Sequence, residues 1–179
     1  MMRSIATVSS ALLLLALASS PTSAQNVGAG LTVVVETSRG TFEFETYPDT
    51  APKTVAHVTG LAKKGFYTGI RIHRVVPGFV IQFGDPQTRD MTKKAMWGSG
   101  GSGTTIGVAE ISKKHTHTKG AVAMAHAGDP AKAESQMYVT LEPQPRLDSG
   151  YTVFGQITSG MDIVEKIEAG DVIKNVTVK

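Results

Sequence analysis

Cysteine is absent from the 179 residues. That excludes a disulfide scaffold, thiolate metal sites, a cysteine nucleophile and a lipidated cysteine anchor. A large excess of charge of one sign is also missing. The formal net charge is only +3, and the 18 Lys and Arg are dispersed without a basic block. A nucleic-acid partner is therefore not expected, despite a pI near 9.2. Aromatic residues make up 6% and tryptophan occurs once, at Trp97. A carbohydrate-binding barrel, which relies on exposed aromatic faces, fits that poorly. No Gly-x-Ser-x-Gly elbow is present to suggest a serine hydrolase.

Long apolar runs are confined to the start of the chain. Met1-Met2-Arg3 is followed by Ala11-Leu12-Leu13-Leu14-Leu15-Ala16-Leu17-Ala18, then by Thr22-Ser23-Ala24. This is the layout of a secretory signal, with its densest core too short to span a bilayer. The expected organisation is a cleaved signal over 1–24, a flexible leader over 25–30 and one folded domain over 31–179. Export to a periplasm or the medium follows, with no stable membrane anchor.

What remains is rich in short β-branched runs and turn residues, with 19 Gly and 8 Pro. Residues 31–37 and 41–46 predict a hairpin, with Phe42 and Phe44 on one face and Glu43 and Glu45 on the other. Pro52 and the spacing of Val55, Val58, Leu61 and Ala62 predict a helix over 51–64, closed by Gly65. Further strands are expected over 70–76, 79–84, 104–111, 121–125, 136–141, 152–157 and 172–178. A second helix is expected over 160–169. Gly98 to Gly103 reads as a loop; it lacks the Lys-Ser/Thr ending that a phosphate-cradling loop needs. His115-Thr116-His117 has no evident third ligand and reads as a solvated loop rather than a metal site. Many short strands favour a sandwich or a barrel, and pattern alone does not separate them.

The most informative segment runs from Gly65 to Asp85. It contains Ile72-His73-Arg74-Val75-Val76-Pro77-Gly78-Phe79-Val80-Ile81-Gln82-Phe83. Alternation puts Arg74 on the face opposite His73 and Val75. Arg74, Phe79 and Gln82 on neighbouring strands would make a partly apolar pocket with a few directed donors. His73, facing inward, is expected to be a hydrogen-bonded structural residue, and Phe83 to point inward with Ile81.

This segment resembles the signature of the cyclophilin family of peptidyl-prolyl isomerases, in the manner of its exported bacterial members. Lys119 to Gly128, Ser135-Gln136-Met137-Tyr138-Val139-Thr140, Leu147-Asp148 and Tyr151 to Gln156 resemble its further segments, in family order. The resemblance implies a mainly β fold, a closed eight-stranded antiparallel barrel with two capping helices, with substrate bound in an outer groove. It implies isomerisation of X-Pro bonds in proline-containing polypeptides, no cofactor and no metal, and a monomer. By resemblance Arg74 is catalytic. Phe79, Tyr138 and Leu147 form the proline pocket, with Val80 and Met137 beside it. Gln82 supports Arg74. Ala125, His126 and Gln136 line the peptide track, and Tyr151 stands at the rim. A groove-bearing holdase without turnover is the competing reading, which the retained Arg74, Phe79, Gln82 and Gln136 disfavour.

Five positions depart from the family pattern. Ile72 and Met137 replace phenylalanines, Phe83 and Glu134 replace glycines, and Arg146 replaces the tryptophan of cyclosporin-sensitive members. Weak cyclosporin binding is expected from the last of these.

Overall fold

A computed structural model describes residues 30–179. The signal and most of the leader expected from sequence lie outside these residues. Among the described residues no helix is long and apolar enough to cross a membrane.

Eight strands form one antiparallel sheet: β1 (Thr32–Thr37), β2 (Thr41–Thr46), β3 (Arg74–Val76), β4 (Val80–Phe83), β5 (Ala121–Met124), β6 (Met137–Thr140), β7 (Val153–Ser159) and β8 (Ile173–Val178). Their order across the sheet is β3-β4-β6-β5-β7-β2-β1-β8. The β1–β2 hairpin forms as expected, with Val33 opposite Phe44 and Val35 opposite Phe42, all four in the core.

The ladder does not close into the expected barrel. β3 and β8 are edges, joined by an isolated bridge between Arg71 and Val172 and a few flanking backbone hydrogen bonds. The fold is an open half-barrel. The reason is local, since β3 begins only at Arg74 and the residues before it leave the ladder.

Helix α1 spans Pro52–Lys63, with proline in its first turn where no N–H is needed. Gly65, at φ +70°, ends it: Phe66 N–H donates to Leu61 O and Gly65 N–H to Ala62 O. Val55, Val58 and Ala62 enter the core. Helix α2 is only Met161–Val164, much shorter than the pattern suggested. Val164 and Ile167 are nevertheless buried against the same core.

The stretch 104–111, expected as a strand, has no regular structure. It serves α1 instead. The Glu110 carboxylate accepts from Lys53 N–H (3.0 Å), Thr54 N–H (2.8 Å) and the Thr54 hydroxyl (2.8 Å). Ala51 cannot cap this helix with its side chain, so a remote glutamate satisfies the free donors.

Apolar residues occupy both faces of the sheet. The inner face holds the main core, including Ile72, Ile81, Phe83, Met124, Met137 and Phe154. A smaller cluster of Val80, Ala121, Ala123, Tyr138 and Val153 lies on the other face, with Phe79, Ala125, Leu147 and Tyr151 packed against it. That outer cluster is the floor of the candidate site.

Candidate active site

Strand alternation places the groove. β4 sends Ile81 and Phe83 inward and leaves Val80 and Gln82 outward; β6 sends Met137 and Val139 inward and Tyr138 outward. The resulting groove is a cavity of about 150 Å³ lined by Arg74, Phe79, Val80, Gln82, Ala125, His126, Tyr138, Leu147 and Tyr151. Nine of the eleven expected site residues therefore meet in one place. Gln136 lines an adjoining cavity with Gly98 to Gly101, Lys132 and Glu134.

Met137 is the exception. It is 2% exposed and belongs to the inner core, so it does not border the proline pocket. It sits directly opposite Phe83 in the β4–β6 register. The bulky Phe83 ring meets an unbranched, adaptable side chain at Met137. Both lie on the side of the sheet away from the groove.

Arg74 is held in place by a polar chain. Its Nη1 donates to Gln82 Oε1 at 3.2 Å, and Gln82 Nε2 donates to Gln136 Oε1 at 2.8 Å. Gln136 Nε2 donates in turn to Gly98 O (2.9 Å) and Gly100 O (2.7 Å). Beneath that loop the fully buried Asp85 carboxylate accepts from Gly98 N–H (2.6 Å) and Gly100 N–H (3.2 Å). Gly84, just before it, has φ +109°, and a Cβ there would meet Ser135 O at 2.2 Å. Only glycine lets β4 pass so close to the residue before Gln136.

The Arg74 guanidinium lies 5.4 Å from the Phe79 ring centroid, and that of Arg146 lies 4.9 Å from it. Neither arginine has a carboxylate partner among the described residues. The site thus presents an apolar seat with an exposed cation aimed across it.

The rim is aromatic. Tyr151 stacks on His126 at 4.4 Å and meets Tyr138 edge-on at 5.8 Å. His126 Nε2 donates to Gly150 O at 2.9 Å. Burial pushes the Tyr138 phenol well above its ordinary range.

Two histidines differ from expectation. His73 does not reach the inner core, and its Nδ1 has no hydrogen-bond partner among the described residues. The half-buried ring packs against the Gly98 backbone. Burial keeps its pKa below the usual histidine value, with nearby Asp85 opposing and Arg74 adding to the shift. His117, expected on a solvated loop, is 2% exposed and bonded to Asp148 and Tyr138. Its short flanking segment carries no hydrophobic periodicity, so nothing local in the sequence signals its burial.

A family profile described as "Cyclophilin type peptidyl-prolyl cis-trans isomerase/CLD" matches residues 32–179. Peptidyl-prolyl cis-trans isomerase B of Bacillus subtilis is 45% identical over 137 residues, covering 76% of this chain and 90% of that protein. A probable peptidyl-prolyl cis-trans isomerase of Brucella abortus is 40% identical over 151 residues, covering 83% and 76%. A cyclophilin-type isomerase of Cryptosporidium parvum, crystallised in the presence of the dipeptide Ala-Pro, superposes with a TM-score of 0.72 at 25% identity, covering 83% of this chain and 98% of that one. With an open antiparallel half-barrel, an outer apolar groove and an arginine held across it, the chain belongs to the cyclophilin-type peptidyl-prolyl cis-trans isomerases.

Proposed function

We propose that this enzyme accelerates rotation about X-Pro bonds in exported polypeptides, with Arg74 as its catalytic residue, and so assists their folding. The charged start, apolar run and small-residue site ahead of the domain support an exported, periplasmic or secreted enzyme; that it acts as a monomer rests on the family resemblance alone. The observation that carries the catalytic reading is the Arg74 guanidinium, fixed by Gln82 beside an apolar seat formed by Phe79, Tyr138 and Leu147.

The reaction breaks no covalent bond. Its barrier of about 18–20 kcal/mol is the amide resonance lost as the bond twists. Five decades of acceleration ask for about 7 kcal/mol. In the twisted state the prolyl nitrogen becomes pyramidal and carries a lone pair. A guanidinium donor aimed there stabilises the twisted state more than the planar one, which is the condition for catalysis. The pocket holds the proline ring while the preceding carbonyl turns. Arginine suits this role because it stays protonated and offers a rigid fork of donors. No proton moves, and the residues present suffice without a cofactor.

The test is NMR exchange on an Ala-Pro peptide with wild type and Arg74→Ala, both shown to be folded. Wild type should accelerate exchange, and Arg74→Ala should lose about 2–4 kcal/mol of transition-state stabilisation, the scale of one preorganised donor. An unchanged variant would overturn Arg74 as the catalytic group. Binding of the peptide by wild type without faster exchange would favour a holdase.

A further inference from the structure

His117 uses every polar group it has. Its backbone N–H donates to Asp148 Oδ1 (2.8 Å), and its carbonyl accepts from Gln144 N–H (2.7 Å). Its ring contacts Asp148 Oδ1 through Nδ1 (2.7 Å) and the Tyr138 hydroxyl through Nε2 (2.9 Å). A carboxylate only accepts, so Nδ1 carries the proton. Nε2 is then the acceptor, and the Tyr138 hydroxyl donates to it.

Carboxylate, imidazole and hydroxyl in this order resemble a nucleophile-activating relay. The surroundings give it another task. Burial keeps the Tyr138 phenol protonated, so no nucleophile is generated. The hydroxyl is committed to His117, and the tyrosine lines the groove. Burial works against the Asp148 carboxylate, but the backbone and ring N–H groups of His117 outweigh it and hold its carboxyl below the usual range.

Asp148 sits in the rim segment that carries Leu147 and Tyr151, two walls of the groove. Tyr138, on β6, is a third. We propose that His117 and Asp148 are positioning residues that set the width of the proline pocket, tying the β6 wall to the 147–151 wall through one buried imidazole. This rests on the groove being the prolyl site. The tie is independent of Arg74, which is held by Gln82 and Gln136. Its loss should therefore weaken capture of the proline ring more than it slows the bound reaction.

The experiment is a double-mutant cycle of Tyr138→Phe and His117→Asn, read as KM and kcat on an Ala-Pro peptide. Asparagine keeps a donor for Asp148 but loses the acceptor for Tyr138; phenylalanine keeps the ring and loses the hydroxyl. Each single variant should raise KM about three- to tenfold while kcat stays within about twofold. In the Tyr138→Phe background, His117→Asn should add less than about twofold, because the tie is already cut. Unchanged KM in Tyr138→Phe would overturn the proposal, as would independent, multiplicative effects or a loss confined to kcat. Tyr138→Phe alone decides the matter if His117→Asn does not fold. Should wild type bind the peptide without turning it over, the isomerase reading fails, and the same cycle read as peptide Kd still tests the tie.

Discussion

The side-chain amides of Gln82 and Gln136 are joined by one hydrogen bond of fixed polarity, Gln82 Nε2 donating to Gln136 Oε1 at 2.8 Å. Gln136 cannot turn round, because its Nε2 is needed by the carbonyls of Gly98 and Gly100. Gln82 therefore shows its oxygen to Arg74 and nothing else. The polarity starts from the Asp85 carboxylate, which fixes the loop bearing those carbonyls.

Replacing Gln82 by glutamate should break this polarity although size is kept. A carboxylate has no donor for Gln136 Oε1, so two acceptors would face each other while the new charge pulled on Arg74. We expect Gln82→Glu to lose about tenfold in kcat/KM, equivalent to about 1.4 kcal/mol, the scale of one unmade buried hydrogen bond. Activity equal to wild type in a peptide exchange assay would show that the chain does not aim Arg74.

Turnover should be nearly flat between about pH 6 and 8. Arginine does not titrate there and no proton is transferred. A pH–rate profile with a steep histidine-like limb would contradict the mechanism.

Stability, unlike turnover, should fall on acidification. Burial lowers the pKa of both His73 and His117 below that of an unfolded histidine, about 6.5. Asp85 opposes this at His73 and Asp148 at His117. As pH drops below about 6.5, the unfolded chain takes up protons that the folded one refuses, so stability declines towards the folded values. Above that window neither state is charged and the contribution is constant. Asp148, whose carboxyl is lowered, stays ionised throughout this range. Urea midpoints at pH 7.5 and 5.5 check this, with a smaller difference expected for His73→Gln. A midpoint that rises at pH 5.5 would reverse the assignment.

Cyclosporin should bind weakly. Arg146 lays an exposed guanidinium over Phe79 and offers no flat apolar face beyond it. Arg146→Trp should tighten binding in a calorimetric titration. Equal affinity would remove this position from the explanation.

Glu110→Ala should cost about 1–2 kcal/mol of stability, the usual scale for a lost helix cap with charge-assisted donors. Chemical denaturation measures it. Peptide turnover should not change, since Glu110 caps α1 rather than touching the groove.

Groove residues on strands were legible in the sequence because alternation decides which way they face. Phe79, Gln82 and Tyr138 all fall where β4, its approach and β6 put them. Met137 was misplaced by the pull of its neighbours: it adjoins Tyr138 in sequence but points to the opposite face. His117 and Asp85 were missed for a different reason. Each acts through partners 13 to 31 positions away, Gly98 for one and Asp148 for the other, and no local pattern encodes such contacts. Barrel closure failed where one isolated bridge and a few backbone hydrogen bonds stand in for a strand pair, around Arg71.

One strand's thickness separates Phe83 and Met137 from the groove they flank. The sheet is thus a partition between two independent packing problems. A protein engineer could tune thermal tolerance from the Phe83–Met137 side and peptide preference from the Tyr138–Arg146 side, with each set of substitutions screened separately and then combined.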